Sequence, residues 1–133
     1  GYGTFKPVRH EEISQHSMEE EYFYVSRKTK SLISDTRERG GRVFAVGTTT
    51  VRALESAFRC DTAECSGFTD LFIYPGFEFK SVDCLLTNFH LPRSTLLMLV
   101  AAYAGRDLIM KAYMEAIKRK YRFCSYGDAM LII

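Results

Sequence analysis

The segment Gly41-Arg-Val-Phe-Ala-Val-Gly47-Thr-Thr-Thr50 constrains this chain most. Val43 to Val46 is a short apolar run of the kind that forms a buried strand. It stops at Gly47 and passes at once into Thr48, Thr49 and Thr50, followed by Val51, Leu54 and Phe58 on one side of a helix. A strand that turns on one glycine into an amphipathic helix is half of a βαβ unit, and repeats of that unit give an α/β sheet.

The rest of the chain repeats this alternation. Tyr22 to Val25 reads as a strand, and Ser26 as the N-cap of a helix that runs to about Arg39 and stops at Gly40-Gly41. Residues 60 to 69 are polar and read as a loop. Leu71 to Tyr74 reads as a strand broken by Pro75-Gly76, and Val82 to Thr87 as another. Helices are expected over Ser94 to Tyr103 and Asp107 to Tyr121, with a last short strand over 129 to 133. The expectation is one α/β domain with a mixed to mostly parallel sheet packed with helices. With 133 residues, 47% of them hydrophobic, the chain has enough apolar material for a core. No apolar run reaches the ~18 residues of a membrane span.

Net charge is +2, too small to argue for nucleic acid by itself. Its distribution is more informative. Glu11, Glu12 and Glu19 to Glu21 form an acidic stretch, and Lys118, Arg119, Lys120 and Arg122 a basic one, either of which is also compatible with a solvated face. The four cysteines, Cys60, Cys65, Cys84 and Cys124, form no C-x-x-C pair and have no zinc-finger histidine spacing. Four reduced thiols in a cytoplasmic setting are expected.

Three segments carry chemistry. At Gly47 to Arg52 a helix N-terminus offers backbone N–H groups and threonine hydroxyls to a phosphate or carboxylate; an ordinary capped helix is the other reading. It is neither a Walker A loop nor G-x-G-x-x-G. Thr87-Asn88-Phe89-His90-Leu91-Pro92-Arg93-Ser94 runs from a strand end into a helix start, where open α/β sheets place ligands. An imidazole with an ordinary pKa near 6.5 would exchange protons there, or His90 fixes the turn. Tyr121 to Met130 is dense in aromatics and holds Arg122, Tyr126 and Asp128, which suits base stacking and phosphate contact as well as core packing. His16 and Glu19 to Glu21 make a further acid–base cluster or a solvated loop. No local pattern supports Cys84 or Cys124 as a nucleophile beside His90.

Taken together, these segments resemble one family. GYGTF, H-x-M-x-x-E (His16 to Glu21), AVGTTTVRALES, FIYPGFEFKSVDCLLTNFHLPRSTLLML and YRFCSYGDAMLI stand in the order and spacing of the S-adenosylmethionine:tRNA ribosyltransferase-isomerases. The resemblance covers nearly the whole chain. Glu19 stands where the family pattern has a histidine, Thr50 where it has serine, and Cys124 where it has an aromatic.

The resemblance implies a C-terminal α/β portion of a longer enzyme. Its N-terminal part and an inserted β-barrel domain would lie outside this chain, so that these residues alone are expected to be inactive. It implies transfer and isomerisation of the ribosyl group of S-adenosylmethionine onto 7-aminomethyl-7-deazaguanine at a tRNA wobble position. Epoxyqueuosine would form, with release of adenine and methionine. S-adenosylmethionine is then a consumed substrate; no metal or redox cofactor and no membrane partner is implied, and a monomer is expected. Such chemistry needs proton transfer, for which His90, Asp83, Asp128 and Glu55 are candidates. It needs substrate contacts, for which Gly47, Thr48, Thr49, Thr50, Arg52, Asn88, Arg93, Ser94 and Tyr126 are candidates. Lys118, Arg119 and Arg122 are candidates for tRNA. A tRNA-binding module without activity and a generic nucleotide-binding α/β domain are the competing readings.

Overall fold

Ser26 has extended backbone angles, and its hydroxyl accepts a hydrogen bond from the Thr29 N–H at 3.2 Å. This cap separates β1 (Glu21–Val25) from α1 (Arg27–Glu38) in the computed structural model, which describes residues 18–133. The order continues with β2 (Phe44–Val46), α2 (Thr48–Ala57), β3 (Cys65–Thr69), β4 (Cys84–Asn88), α3 (Thr95–Ala104), α4 (Arg106–Lys118) and β5 (Ala129–Ile132). The GYGTF segment and His16 lie outside the described residues.

The strands form two small sheets. β1 and β3 make an antiparallel pair, and β2, β4 and β5 make a three-stranded sheet in the order β2-β4-β5. β2 runs parallel to β4, with Ala45 beside Leu85, and β5 runs antiparallel to β4, with Leu86 beside Leu131. The expected mixed α/β fold is present, but among the described residues only β2 and β4 are parallel. The reason lies in the connection. The chain leaves β4 through two helices, α3 and α4, that pack on each other, and β5 returns antiparallel.

Three sequence expectations fail in the middle of the chain. Leu71 to Tyr74 joins no ladder; Ile73 is buried, but the Leu71 carbonyl accepts from Arg52 Nε instead. The stretch read as a loop over 60 to 69 ends in β3. Its polar composition hides the alternation, in which Cys65 faces inward and Ser66 and Phe68 outward. Cys60 and Cys65 are joined by a disulfide, against the expectation of four thiols, because the tight return from α2 to β3 sets their Cα atoms 6.5 Å apart, inside the range a disulfide spans. Cys84 and Cys124 are free.

The core is built from Ala45 of β2, Val51 and Ala57 of α2, Leu85 of β4 and Val100 of α3, all fully buried. Phe89 extends it into an aromatic cluster, with ring centroids 5.3 Å from Tyr113 and 5.2 Å from Phe123. That cluster carries the end of β4 and the approach to β5 on one packed base. Among the described residues no helix is long and apolar enough to cross a membrane.

Candidate functional site

Because β2 and β4 are parallel, their carboxyl ends meet the same edge of the sheet, and the turns that follow them lie side by side. The Gly47 N–H donates to the Leu86 carbonyl at 2.8 Å and locks the two turns together. Gly47 has φ +89 and ψ 145, a conformation essentially confined to glycine. A Cβ there would meet nothing within 4 Å, so the requirement is conformational and not steric.

The segment between α4 and β5 closes the third side. The Cys124 N–H donates to the Phe89 carbonyl at 2.9 Å, and Asn88 Nδ2 donates to the Asp128 carbonyl at 3.3 Å. Gly127 is required here by space: a Cβ would come 2.3 Å from the Arg122 carbonyl oxygen. Asp128 holds the loop shut. Its carboxylate accepts the Arg122 N–H at 2.7 Å and pairs with the Arg122 guanidinium at 3.4 Å. The Arg122 backbone donor, aided by its side chain, keeps the Asp128 carboxyl below the usual carboxylate range.

These three turns line a cleft of about 430 Å³. Gly47, Thr48 and Thr49 come from the first turn, Thr87 and Asn88 from the end of β4, His90 to Ser94 from the second turn, Leu96 from α3, and Cys124 and Ser125 from the third. The three chemistry-bearing segments of the sequence therefore converge, although about 75 residues separate the first from the last. At one wall is the N-terminus of α2, where no side chain among the described residues caps the first-turn N–H groups. At another, Arg93 is exposed with φ +57. Leu91, Pro92 and Leu96 supply apolar surface.

His90 is half-buried. Its backbone N–H donates to the Tyr113 hydroxyl oxygen at 2.8 Å, and its ring Nε2 lies 3.0 Å from Thr87 Oγ1. Burial pulls its pKa down to about 4, so the ring is neutral near pH 7. This corrects the expectation of an ordinary imidazole titrating near neutrality.

Several candidates are occupied elsewhere. Glu55 is fully buried and accepts from the Ser81 N–H at 2.9 Å, the Ser81 hydroxyl at 2.8 Å, the Lys80 N–H at 2.9 Å and Arg59 at 2.7 Å. Burial pushes its pKa up, but these donors together outweigh it and leave the carboxyl below its usual range. It anchors the segment leading to β4 and is not in the cleft. Asp83 precedes β4, at the edge opposite the cleft, where it accepts the Val43 N–H at 2.9 Å and lies 3.5 Å from Arg37. Arg52 is buried and paired with Glu21 at 2.6 Å, which ties α2 to β1, and it does not line the cleft.

Ser94 caps α3: its hydroxyl accepts from the Leu97 N–H at 3.1 Å and donates to the Leu91 carbonyl at 2.7 Å. The Thr50 hydroxyl donates to the Val46 carbonyl at 2.8 Å. Asn88 acts on the loop, as described. Tyr126 is almost fully exposed on that loop. Lys118, Arg119 and Arg122 lie on the surface outside the cleft, with Arg119 paired to Glu115 at 2.6 Å.

Sequence reasoning passed over Thr87 and Tyr113. Thr87 reads as an ordinary strand position, and only its spacing of three from His90 hints at a contact. Tyr113 lies 23 residues from His90 on α4, and no local signal joins them. Among the described residues no group of three or more His, Cys, Asp and Glu side chains is placed to hold a metal.

The family model for queuosine biosynthesis protein matches residues 1–132. This chain belongs to that family. A member from Thermotoga petrophila, named S-adenosylmethionine:tRNA ribosyltransferase-isomerase, is 62% identical over 134 residues, a match taking in 100% of this chain and 40% of that protein. One of the same name from Sulfurihydrogenibium is 59% identical over 133 residues, again 100% of this chain and 39% of the relative. The crystal structure of S-adenosylmethionine tRNA ribosyltransferase from Thermotoga maritima has a TM-score of 0.82 and 63% identity, covering 84% of this chain and 40% of that one. The chain thus spans about 40% of the length of these queuosine biosynthesis relatives.

Proposed function

We propose that the protein carrying this chain transfers and isomerises the ribosyl group of S-adenosylmethionine onto 7-aminomethyl-7-deazaguanine of a tRNA, forming epoxyqueuosine and releasing adenine and methionine. The observation that carries the reading is the cleft itself. It brings a helix N-terminus without a side-chain cap and a neutral histidine into one cleft, within one family whose members bear that name.

The substrate makes four demands. The methionine carboxylate needs an anion site, which the first-turn N–H groups of α2 at Thr48 and Thr49 supply. The adenosine needs apolar surface, offered by Leu91, Pro92 and Leu96. The carbon beside the sulfonium must lose a proton, and departing adenine must gain one. Of the four proton-transfer candidates only His90 lines the cleft, and a neutral ring suits it to donating or accepting a hydrogen bond there. The tRNA needs cations and stacking faces, for which exposed Arg93, Tyr126, Lys118, Arg119 and Arg122 are the candidates.

Adenine release from S-adenosylmethionine by the full-length protein that carries this chain, in the presence of substrate tRNA, tests the reading. His90→Ala should lower kcat by about 10²-fold or more while tRNA affinity holds. Tight, salt-sensitive tRNA binding with no adenine release by the unaltered protein would instead identify a binding module.

A further inference from the structure

We infer that Thr87 is a positioning residue that fixes His90 as the Nδ1–H tautomer, so that His90 meets the cleft ligand as a hydrogen-bond donor. The Thr87 side chain is buried at the end of β4, and its only hydrogen-bond partner among the described residues is His90 Nε2, 3.0 Å away. A hydroxyl has one proton to place, and a buried donor without an acceptor is costly. If Nε2 carried the ring proton and donated to Oγ1, the threonine proton would have no acceptor among the described residues. If Oγ1 donates to Nε2, the hydroxyl is satisfied and the ring proton sits on Nδ1.

The other ring nitrogen fits this arrangement. Nδ1 has no hydrogen-bond partner among the described residues, yet no buried side-chain nitrogen or oxygen there is left without one. Nδ1 therefore keeps contact with the open side, and His90 lines the cleft. The backbone on which the ring stands is held independently, by the His90 N–H donating to the Tyr113 hydroxyl. Tyr113 sets where His90 stands, and Thr87 sets which nitrogen bears its proton. In a cleft that takes S-adenosylmethionine, an acceptor atom of that substrate would receive the Nδ1–H; this last step rests on the function proposed above, whereas the tautomer does not.

Nitrogen NMR of the imidazoles in the ¹⁵N-labelled chain tests the tautomer directly, with His90→Gln assigning the signal. At neutral pH the shifts should report protonated Nδ1 and acceptor Nε2. Thr87→Ser should keep that pattern, and Thr87→Val, close in shape but without the hydroxyl, should show the Nε2–H form appearing. Protonated Nε2 in the unaltered chain, or an unchanged tautomer in Thr87→Val, overturns the inference. Adenine release separates the two layers. Thr87→Val should lower kcat about tenfold, the size expected for one neutral hydrogen bond, with Thr87→Ser restoring most of it. A tautomer that moves as expected with kcat unchanged leaves the positioning intact and removes His90 from the proposed reaction.

Discussion

Asn88 reaches across the sheet edge to Asp128: its Nδ2 donates to the Asp128 carbonyl oxygen at 3.3 Å, one position beyond the Asn88–Ala129 register pair of β4 and β5. The same asparagine lines the cleft, so the third wall of the site is tied to the strand that ends in its second wall. Replacing Asn88 with alanine should cost about 1 kcal/mol, the size of one such hydrogen bond. If the cleft takes S-adenosylmethionine as proposed, affinity for it should fall too, because Cys124 and Ser125 lose their anchor. Calorimetric titration with the methionine sulfonium measures the affinity, and chemical denaturation the stability.

Gly47→Ala isolates backbone conformation from crowding, since a Cβ there meets no atom within 4 Å. The cost should be about 1–3 kcal/mol of stability, the usual range for a non-glycine residue forced into such a region. Equilibrium denaturation in urea should show a lower midpoint with an unchanged slope. No change in midpoint would mean that the turn relaxes to another geometry.

Glu55 should make the fold acid-sensitive. Its folded pKa lies below the ordinary 4.5, so the unfolded chain takes up the proton first. The stabilisation is fully present above about pH 4.5 and is lost as pH falls through the lower, folded value. Glu55→Gln should destabilise at pH 7, by about 1–3 kcal/mol, because the N–H groups of Lys80, Ser81 and Val82, the Ser81 hydroxyl and Arg59 all lose a charged acceptor. It should also flatten the acid limb of a stability-versus-pH curve.

His90 acts over a different window. Its folded value of about 4 lies below the ordinary 6.5, because burial disfavours the cation. Between those two values the unfolded chain binds a proton that the folded chain refuses, so stability falls as pH drops from 6.5 toward 4. His90→Gln should remove that slope and leave the Glu55 limb below it. Thermal denaturation at half-unit pH steps resolves the two.

The basic residues near the end of α4 separate by their partners. Arg119 is paired to Glu115 and Arg122 to Asp128, whereas Lys118 makes no ion pair among the described residues. If all three touch tRNA phosphates, each neutralisation should lower the slope of log affinity against log salt by about one unit. Arg122→Gln should in addition weaken S-adenosylmethionine binding, because it loosens the Asp128 staple; Lys118→Gln should not.

Much of this was legible locally. Strand β2, Gly47 and helix α2 follow from an apolar run, one glycine and a helical spacing, all within 17 residues. The three chemistry-bearing segments were recognisable because parallel strands deliver their carboxyl ends to one edge. What sequence could not separate was a charged residue that serves a ligand from one that serves the fold. Glu55 and Asp83 are candidates because a carboxylate can move a proton; their partners, the N–H groups of Ser81 and Val43, are 26 and 40 residues away. Backbone donors have no signature in a sequence. The misread 60 to 69 segment failed for another reason: β3 is half exposed and carries serine, glycine and threonine, so polarity outweighed alternation.

The return of the chain through α3 and α4 has a further consequence. It brings residue 124 to the same cleft as residues 47 and 90, so no short stretch of polypeptide contains all three walls. A ligand seated there can recognise only molecules that have completed their long-range pairings. Its occupancy is then a gauge of folding: each tenfold rise in free ligand above Kd should deepen the native well by about 1.4 kcal/mol, and a chaperoned or partly assembled chain should be blind to it.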